Sequence, residues 1–229
     1  MNSTKITDVF FDLDHTLWDF DKNSELTYQL IFNKLDWDID LSHFISVYQR
    51  INIDLWKLYR EDKIEKEALR YKRLNDTFSA MNKWVSDQMI NKIADDYIAN
   101  LSMQTHLIDG ALNVLEYLSP KYNLHIITNG FQEVQKNKLN NSKLESYFDI
   151  VVDSEMVGVK KPNPKIFEVA LEMANVDRDN AVMVGDNYEA DILGALNIGL
   201  DAICYNYHKE DIPSNIKQIN HLNDLLQIL

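Results

Sequence analysis

The sequence predicts an α/β protein: a doubly wound, Rossmann-like parallel sheet core with an all-helical cap inserted after the first strand. Three observations carry this. Short apolar runs each stop at polar residues, helical segments alternate with them through the C-terminal half, and a long block between residues 18 and 104 is helical throughout. The expected division is therefore a core of residues 1–17 and 105–229 and a helical domain of residues 18–104.

Val9-Phe10-Phe11, closed by Asp12, reads as a parallel strand buried on both faces. In the helical block, Ser86-Asp87-Gln88 opens a helix whose apolar positions Met89, Ile90, Ile93, Ala94, Tyr97, Ile98 and Leu101 keep the 3.6-residue period. A second stripe runs through Phe44, Ile45, Tyr48, Ile51, Leu55, Leu58 and Tyr59. Beyond it the order is helix (Gly110–Leu118), strand (Leu124–Ile127), strand (Phe148–Val152) and helix (Lys165–Ala174), the last entered through Asn163 as N-cap and Pro164 at its first position. A strand at Ala181–Val184, a helix at Tyr188–Asn197, a strand at Ala202–Tyr205 and a final helix at His221–Leu229 complete the pattern.

Composition narrows the function. Of 229 residues 45% are hydrophobic, too many for a disordered chain, and 23 Lys+Arg against 36 Asp+Glu leave a net charge of −13. Without a basic patch, nucleic acid polymers and anionic membranes are excluded as main partners. The expected partner is a small molecule, and an anionic one would need a cation and placed lysines to overcome the field of the chain. Cys204, the only cysteine, reads as a packed thiol and permits a reducing compartment. No apolar segment follows Lys5, so the expectation is a cytoplasmic protein, monomer or homodimer, without signal peptide or membrane span. The six histidines lack the spacing of a zinc site.

Four strand ends bring polar residues to one edge: Asp12 and Asp14, Thr128-Asn129, Lys160-Lys161, and Gly185-Asp186. Ligands of open α/β sheets bind at that edge. Asp12 and Asp14 stand two apart, so an extended backbone sends both carboxylates into one space, where they call for a cation or a proton. Turn-forming and capping roles for these residues are the plainer reading, but they do not explain why all four strand ends carry them.

In order and context, Phe11-Asp12-Leu13-Asp14-His15-Thr16-Leu17, Thr128-Asn129-Gly130, Lys161-Pro162 and Gly185-Asp186 with Asp191 resemble the four motifs of the haloacid dehalogenase superfamily of phosphohydrolases. The stretch Asp12–Phe20 with Asn23-Ser24 is similar to its pyrimidine and house-cleaning 5'-nucleotidase branch. The resemblance implies a Mg²⁺-dependent phosphomonoester hydrolase that works through an aspartyl-phosphate. Asp12 would be the nucleophile and Asp14 the acid and base. Thr128, Asn129 and Lys161 would bind phosphate, with Lys161 also orienting Asp12. Mg²⁺ would be held by Asp12, the Asp14 backbone carbonyl and Asp186, with Asp191 supporting metal-bound waters. Thr16 would fix the loop. Trp18, Phe20, Trp56, Tyr59 and Arg60 are candidates to meet a base or sugar. The expected substrate is a nucleoside 5'-monophosphate, pyrimidine ones first. The alternatives are a phosphoglycolate or sugar phosphate, a phosphomutase reaction, 2-haloacid dehalogenation, or a module that only binds.

Overall fold

The computed structural model describes residues 5–229, which divide into two compact units, residues 5–20 with 105–229 and residues 21–104. The first is built on a six-stranded, all-parallel sheet in the order β3-β2-β1-β4-β5-β6. Its strands are β1 (Asp8–Phe11), β2 (Asn123–Thr128), β3 (Ile150–Asp153), β4 (Ala181–Gly185), β5 (Asp201–Tyr205) and β6 (Gln218–Ile219). β1 lies in the middle of the sheet with all four residues buried, as its aromatic and β-branched residues require. Phe11 stands level with Ile126 of β2 and Val184 of β4, so the next residue, Asp12, emerges beside Gly185, the last residue of β4, one residue short of the end of β2. Its N–H still bonds Val184 O at 2.9 Å. The edge that carries the chemistry is thus set by register.

Among the helices, α1 (Phe20–Lys34) starts at the last residue of the first segment of the sheet unit; α2 (Leu41–Arg60), α3 (Lys66–Ala80) and α4 (Asp87–Leu101) follow in the helical unit. The sheet unit carries α5 (Ala111–Leu118), α6 (Gln132–Asn141), α7 (Ser154–Val157), α8 (Pro164–Ala174) and α9 (Gly194–Asn197). Asn163 caps α8 by accepting from Lys165 N at 3.0 Å, with Pro164 in the first turn, and Ser86 caps α4. The helical unit is filled by aromatic rings: Tyr28 packs 4.6 Å from Tyr97, 4.8 Å from Tyr48 and 4.9 Å from Phe44. Arg73 lies buried among them, its guanidinium 4.6 Å over the Tyr97 ring. On α2 the buried stripe takes in Val47 and Asn52, while Ile51 stays half-buried.

Several features differ from the sequence expectation. The segment Tyr188–Asn197 is a π-helix over Tyr188–Leu193 that passes into α9. The Asn187 side chain accepts from Ala190 N while the Asp191 carboxylate accepts from Asn187 N, and the widened turn accommodates both. The C-terminal helix is a 3₁₀ turn, Leu222–Gln227, whose buried Leu222 and Leu225 stand three apart, the spacing that eclipses in such a helix. The two-residue β6 is too short to leave a periodic signal. The contact boundary also places Trp18 and Phe20 with the sheet.

Cys204 sits wholly buried in β5 among Phe10, Met183 and Ala202, and burial, reinforced by nearby carboxylates, pushes its thiol up to about 12. The reactive thiolate is therefore scarce at neutral and mildly alkaline pH. A thiol reagent is therefore expected to label Cys204 only when denaturant is added; stoichiometric labelling of the native protein within minutes would contradict this packing.

Candidate active site

Lys161 occupies the centre of the strand-end edge. It is 1% exposed, and its ammonium donates to Asp12 Oδ1 and Ile127 O at 2.6 Å each and pairs with Asp191 Oδ1 at 2.7 Å. Such burial sets Lys161 apart from an ordinary solvated surface lysine. Two carboxylates against the ammonium hold it protonated, outweighing the burial that favours the neutral amine. The main chain of Lys161 is gripped as well: Asn129 Nδ2 donates to Lys161 O at 3.0 Å and Asn129 Oδ1 accepts from Lys161 N at 2.7 Å. The Asn129 side chain thus joins two loops.

Asp12, Asp186 and Asp191 form one cluster, with an oxygen from each within 4.8 Å of the others. Burial, with Asp191 and Asp186 close by, pushes the Asp12 carboxyl well above the usual range against the pull of Lys161. Asp191 is raised by burial and by Asp186. Asp186 moves the other way: burial opposes ionisation, but His208, His15 and the Thr16 hydroxyl outweigh it. His208 Nε2 lies 3.0 Å from Asp186 Oδ2, and Thr16 Oγ1 donates to Asp186 Oδ1 at 3.1 Å. Two of the three buried carboxylates, Asp12 and Asp191, share one ammonium, and Asp12 Oδ2 makes no hydrogen bond to the described residues. An all-carboxylate set of this kind suits a small, hard divalent cation.

Asp191 reaches the cluster because Gly185 gives it room. A Cβ on Gly185 would stand 2.4 Å from Asp191 Oδ2. Asp191 thus lies in the cluster with Asp12 and Asp186.

Asp14 takes a different direction. After Asp12 the chain turns tightly, Leu17 N and Trp18 N both donating to Leu13 O, and His15 adopts a left-handed φ of 63°. The extended geometry that would aim both carboxylates into one space ends here. The Asp14 carboxylate instead meets α6, with Lys138 Nζ 2.6 Å from Oδ1 and Gln135 Nε2 3.0 Å from Oδ2. Thr128 Oγ1 accepts from Gly130 N and Gln135 Nε2, which leaves its own proton to donate elsewhere.

Trp18 is fully buried, its ring 4.3 Å from the Lys138 ammonium, so it offers no surface to a ligand in this structure. Phe20 is buried beside His15, at 5.1 Å between ring centroids. Trp56, Tyr59 and Arg60 all lie on α2 of the helical unit, Tyr59 buried and the other two half-buried. Gln135, Lys138 and His208 are the site residues the sequence reading missed. Gln135 and Lys138 sit on a polar helix with no apolar period, and His208 follows a fifth strand end, that of β5.

The model of the haloacid dehalogenase-like hydrolase family matches residues 9–205. This chain belongs to that family. The hydrolase is 35% identical over 226 residues to pyrimidine 5'-nucleotidase YjjG of Escherichia coli (strain K12), covering 96% of each chain. It is 32% identical over 202 residues to pyrimidine 5'-nucleotidase PynA of Streptococcus pneumoniae, covering 87% of this chain and 84% of that one. Its fold is similar to that of magnesium-bound HAD-hydrolase YfnB from Bacillus subtilis, with a TM-score of 0.88 and 26% identity over 98% of this chain and 99% of the other. Among the described residues of the hydrolase, no helix is long and apolar enough to cross a membrane.

Replacing Gly185 by Ala is expected to drive Asp191 off the cluster and cost about 1–3 kcal/mol of stability through overpacking. The urea midpoint should fall with little change in slope. An unchanged midpoint would show that Asp191 can move aside freely.

Proposed function

We propose that this hydrolase is a Mg²⁺-dependent phosphomonoesterase that acts through an aspartyl-phosphate on nucleoside 5'-monophosphates, preferring pyrimidine ones. The observation that carries the reading is the environment of Asp12: one carboxylate oxygen fixed by Lys161, the other uncommitted, at an edge where Thr128 has a hydroxyl proton to give. The pyrimidine preference is supported by two relatives of that activity that align over most of the chain.

In the first displacement Asp12 Oδ2 attacks phosphorus, the bond to the leaving oxygen breaks, and Asp14 supplies the proton that oxygen takes. In the second, Asp14 takes a proton from the water whose oxygen attacks the same phosphorus, and the Asp12 carboxylate is released with inorganic phosphate. Lys161 holds Asp12 in place and balances charge beside it, while the Thr128 hydroxyl and the loop at Asn129 face the phosphoryl oxygens as donors. Asp12, Asp186 and Asp191, with the Asp14 carbonyl, are the groups that would hold Mg²⁺; when bound it offsets the charge of the phosphate. The acid role of Asp14 separates this reading from dehalogenation, because a departing halide needs no proton. The substrate is taken as a small soluble metabolite in the cytoplasm, the protein as a monomer or homodimer.

Phosphate release from nucleoside monophosphates, sugar phosphates and phosphoglycolate, with Mg²⁺ and with a chelator, tests this directly. A chelator-sensitive preference for pyrimidine nucleotides is expected. Faster turnover of sugar phosphates or phosphoglycolate would replace the substrate class, and halide release from 2-haloacids without phosphatase activity would replace the reaction. The Asp12→Asn variant should lose about 10³-fold or more in kcat, as expected for loss of a nucleophile. Because the cluster carries surplus negative charge, Mg²⁺ should raise the Tm of the wild type and raise that of the Asp186→Asn variant less.

A further inference from the structure

Among the described residues, the Asp14 carboxylate is held by two side chains of α6 one helical turn apart. Lys138 is 2% exposed although α6 is otherwise largely polar, and a buried ammonium is costly unless paired. It pairs with the Asp14 carboxylate at 2.6 Å. The faces of Trp18 and Phe20 lie 4.3 and 5.4 Å from the ammonium, and Trp18 is itself tied to the end of α6 through Nε1 donating to Ser142 Oγ at 3.2 Å. Gln135, 1% exposed, spends both protons of its amide: one on Thr128 Oγ1 at 2.7 Å, one on Asp14 Oδ2 at 3.0 Å. Room for that amide exists because residue 130 is glycine, whose Cβ would stand 2.2 Å from Gln135 Nε2.

We propose that Gln135 and Lys138 form a clamp that fixes the Asp14 side chain for proton transfer at the leaving oxygen, making Lys138 a positioning residue of this active site. The clamp rests on the reading of Asp14 as acid and base. One donor on each carboxylate oxygen leaves a second lone-pair site on each, where a proton or a water can sit while the carboxylate stays in place. The same clamp joins the loop after β1 to the end of β2, so Asp14 and the phosphate-facing Thr128 are set by one helix. Precise placement of an acid is worth orders of magnitude in rate, whereas a carboxylate free to rotate spends most of its time aimed elsewhere.

The test compares kcat/KM, which reports the first displacement, for a pyrimidine nucleoside monophosphate and for p-nitrophenyl phosphate, whose leaving group needs little protonation. The Lys138→Met variant is expected to lose about 10-fold or more on the nucleotide and under about 3-fold on the aryl ester. In an Asp14→Asn background the same change should add no further loss. Equal losses on both esters would overturn the proposal, pointing to direct phosphate contact by Lys138 if the Tm is unchanged and to a structural role if it falls. Should the wild type hydrolyse neither ester, the phosphatase reading fails, and the clamp is decided by the crystal structure of Lys138→Met. An Asp14 carboxylate turned away from α6 or split between rotamers supports it, and one unmoved refutes it.

Discussion

The ammonium of Lys161 is the group on which the strand-end edge is built. Removing an ion of this size from water costs several kcal/mol even after relaxation, so its burial requires partners that cannot drift. Asp12, Asp191 and Ile127 O are those partners, drawn from the loop after β1, the π-helix after β4 and the end of β2. Each neighbouring feature follows from keeping them there. β1 is central so that Asp12 is flanked on both sides, Gly185 lacks a side chain so that Asp191 can approach, and the chain after Asn187 widens into a π-helix so that Asp191 can turn back.

The same arrangement leaves a surplus of negative charge. Lys161 neutralises one carboxylate's worth of a cluster of three, and His208 and Thr16 stabilise Asp186 without cancelling the repulsion felt by Asp12 and Asp191. Burial then acts in opposite senses on neighbouring groups of the same type, because the partners differ. Asp12 and Asp191 are pushed up, and Asp186 is held down. A divalent cation would supply what the protein withholds and let an acidic chain serve an anionic ligand.

Much of the sheet was legible in the sequence because a parallel strand buried on both faces leaves a short apolar run with polar punctuation, and each such run marks an edge position. Val9-Phe10-Phe11 and Ala181–Val184 are of this kind. What escaped was written in another form. The π-helix depends on a side chain bonding back to the main chain, which no periodicity records. Gln135 and Lys138 act through a polar helix face whose direction is known only once α6 is docked, and the turn at Leu13–Trp18 redirects Asp14 away from Asp12 although the two-residue spacing suggests a shared face. The family relationship accounts for the fold and the four motifs; it is silent on the aromatic interior of the helical unit, where the buried Arg73 stands among tyrosines.

The pair of hydrogen bonds between the Asn129 side chain and the main chain of Lys161 has a consequence for motion. A carboxamide that both donates and accepts on one peptide segment mimics a rung of sheet, here between loops 32 residues apart in sequence. Neither loop can open without breaking that rung and exposing the charged amine behind it. The two should therefore open as a single unit of local unfolding, and the Lys161 amide, though it sits in a loop, should exchange its hydrogen with solvent on the slow timescale of the sheet rather than the fast one of the surface.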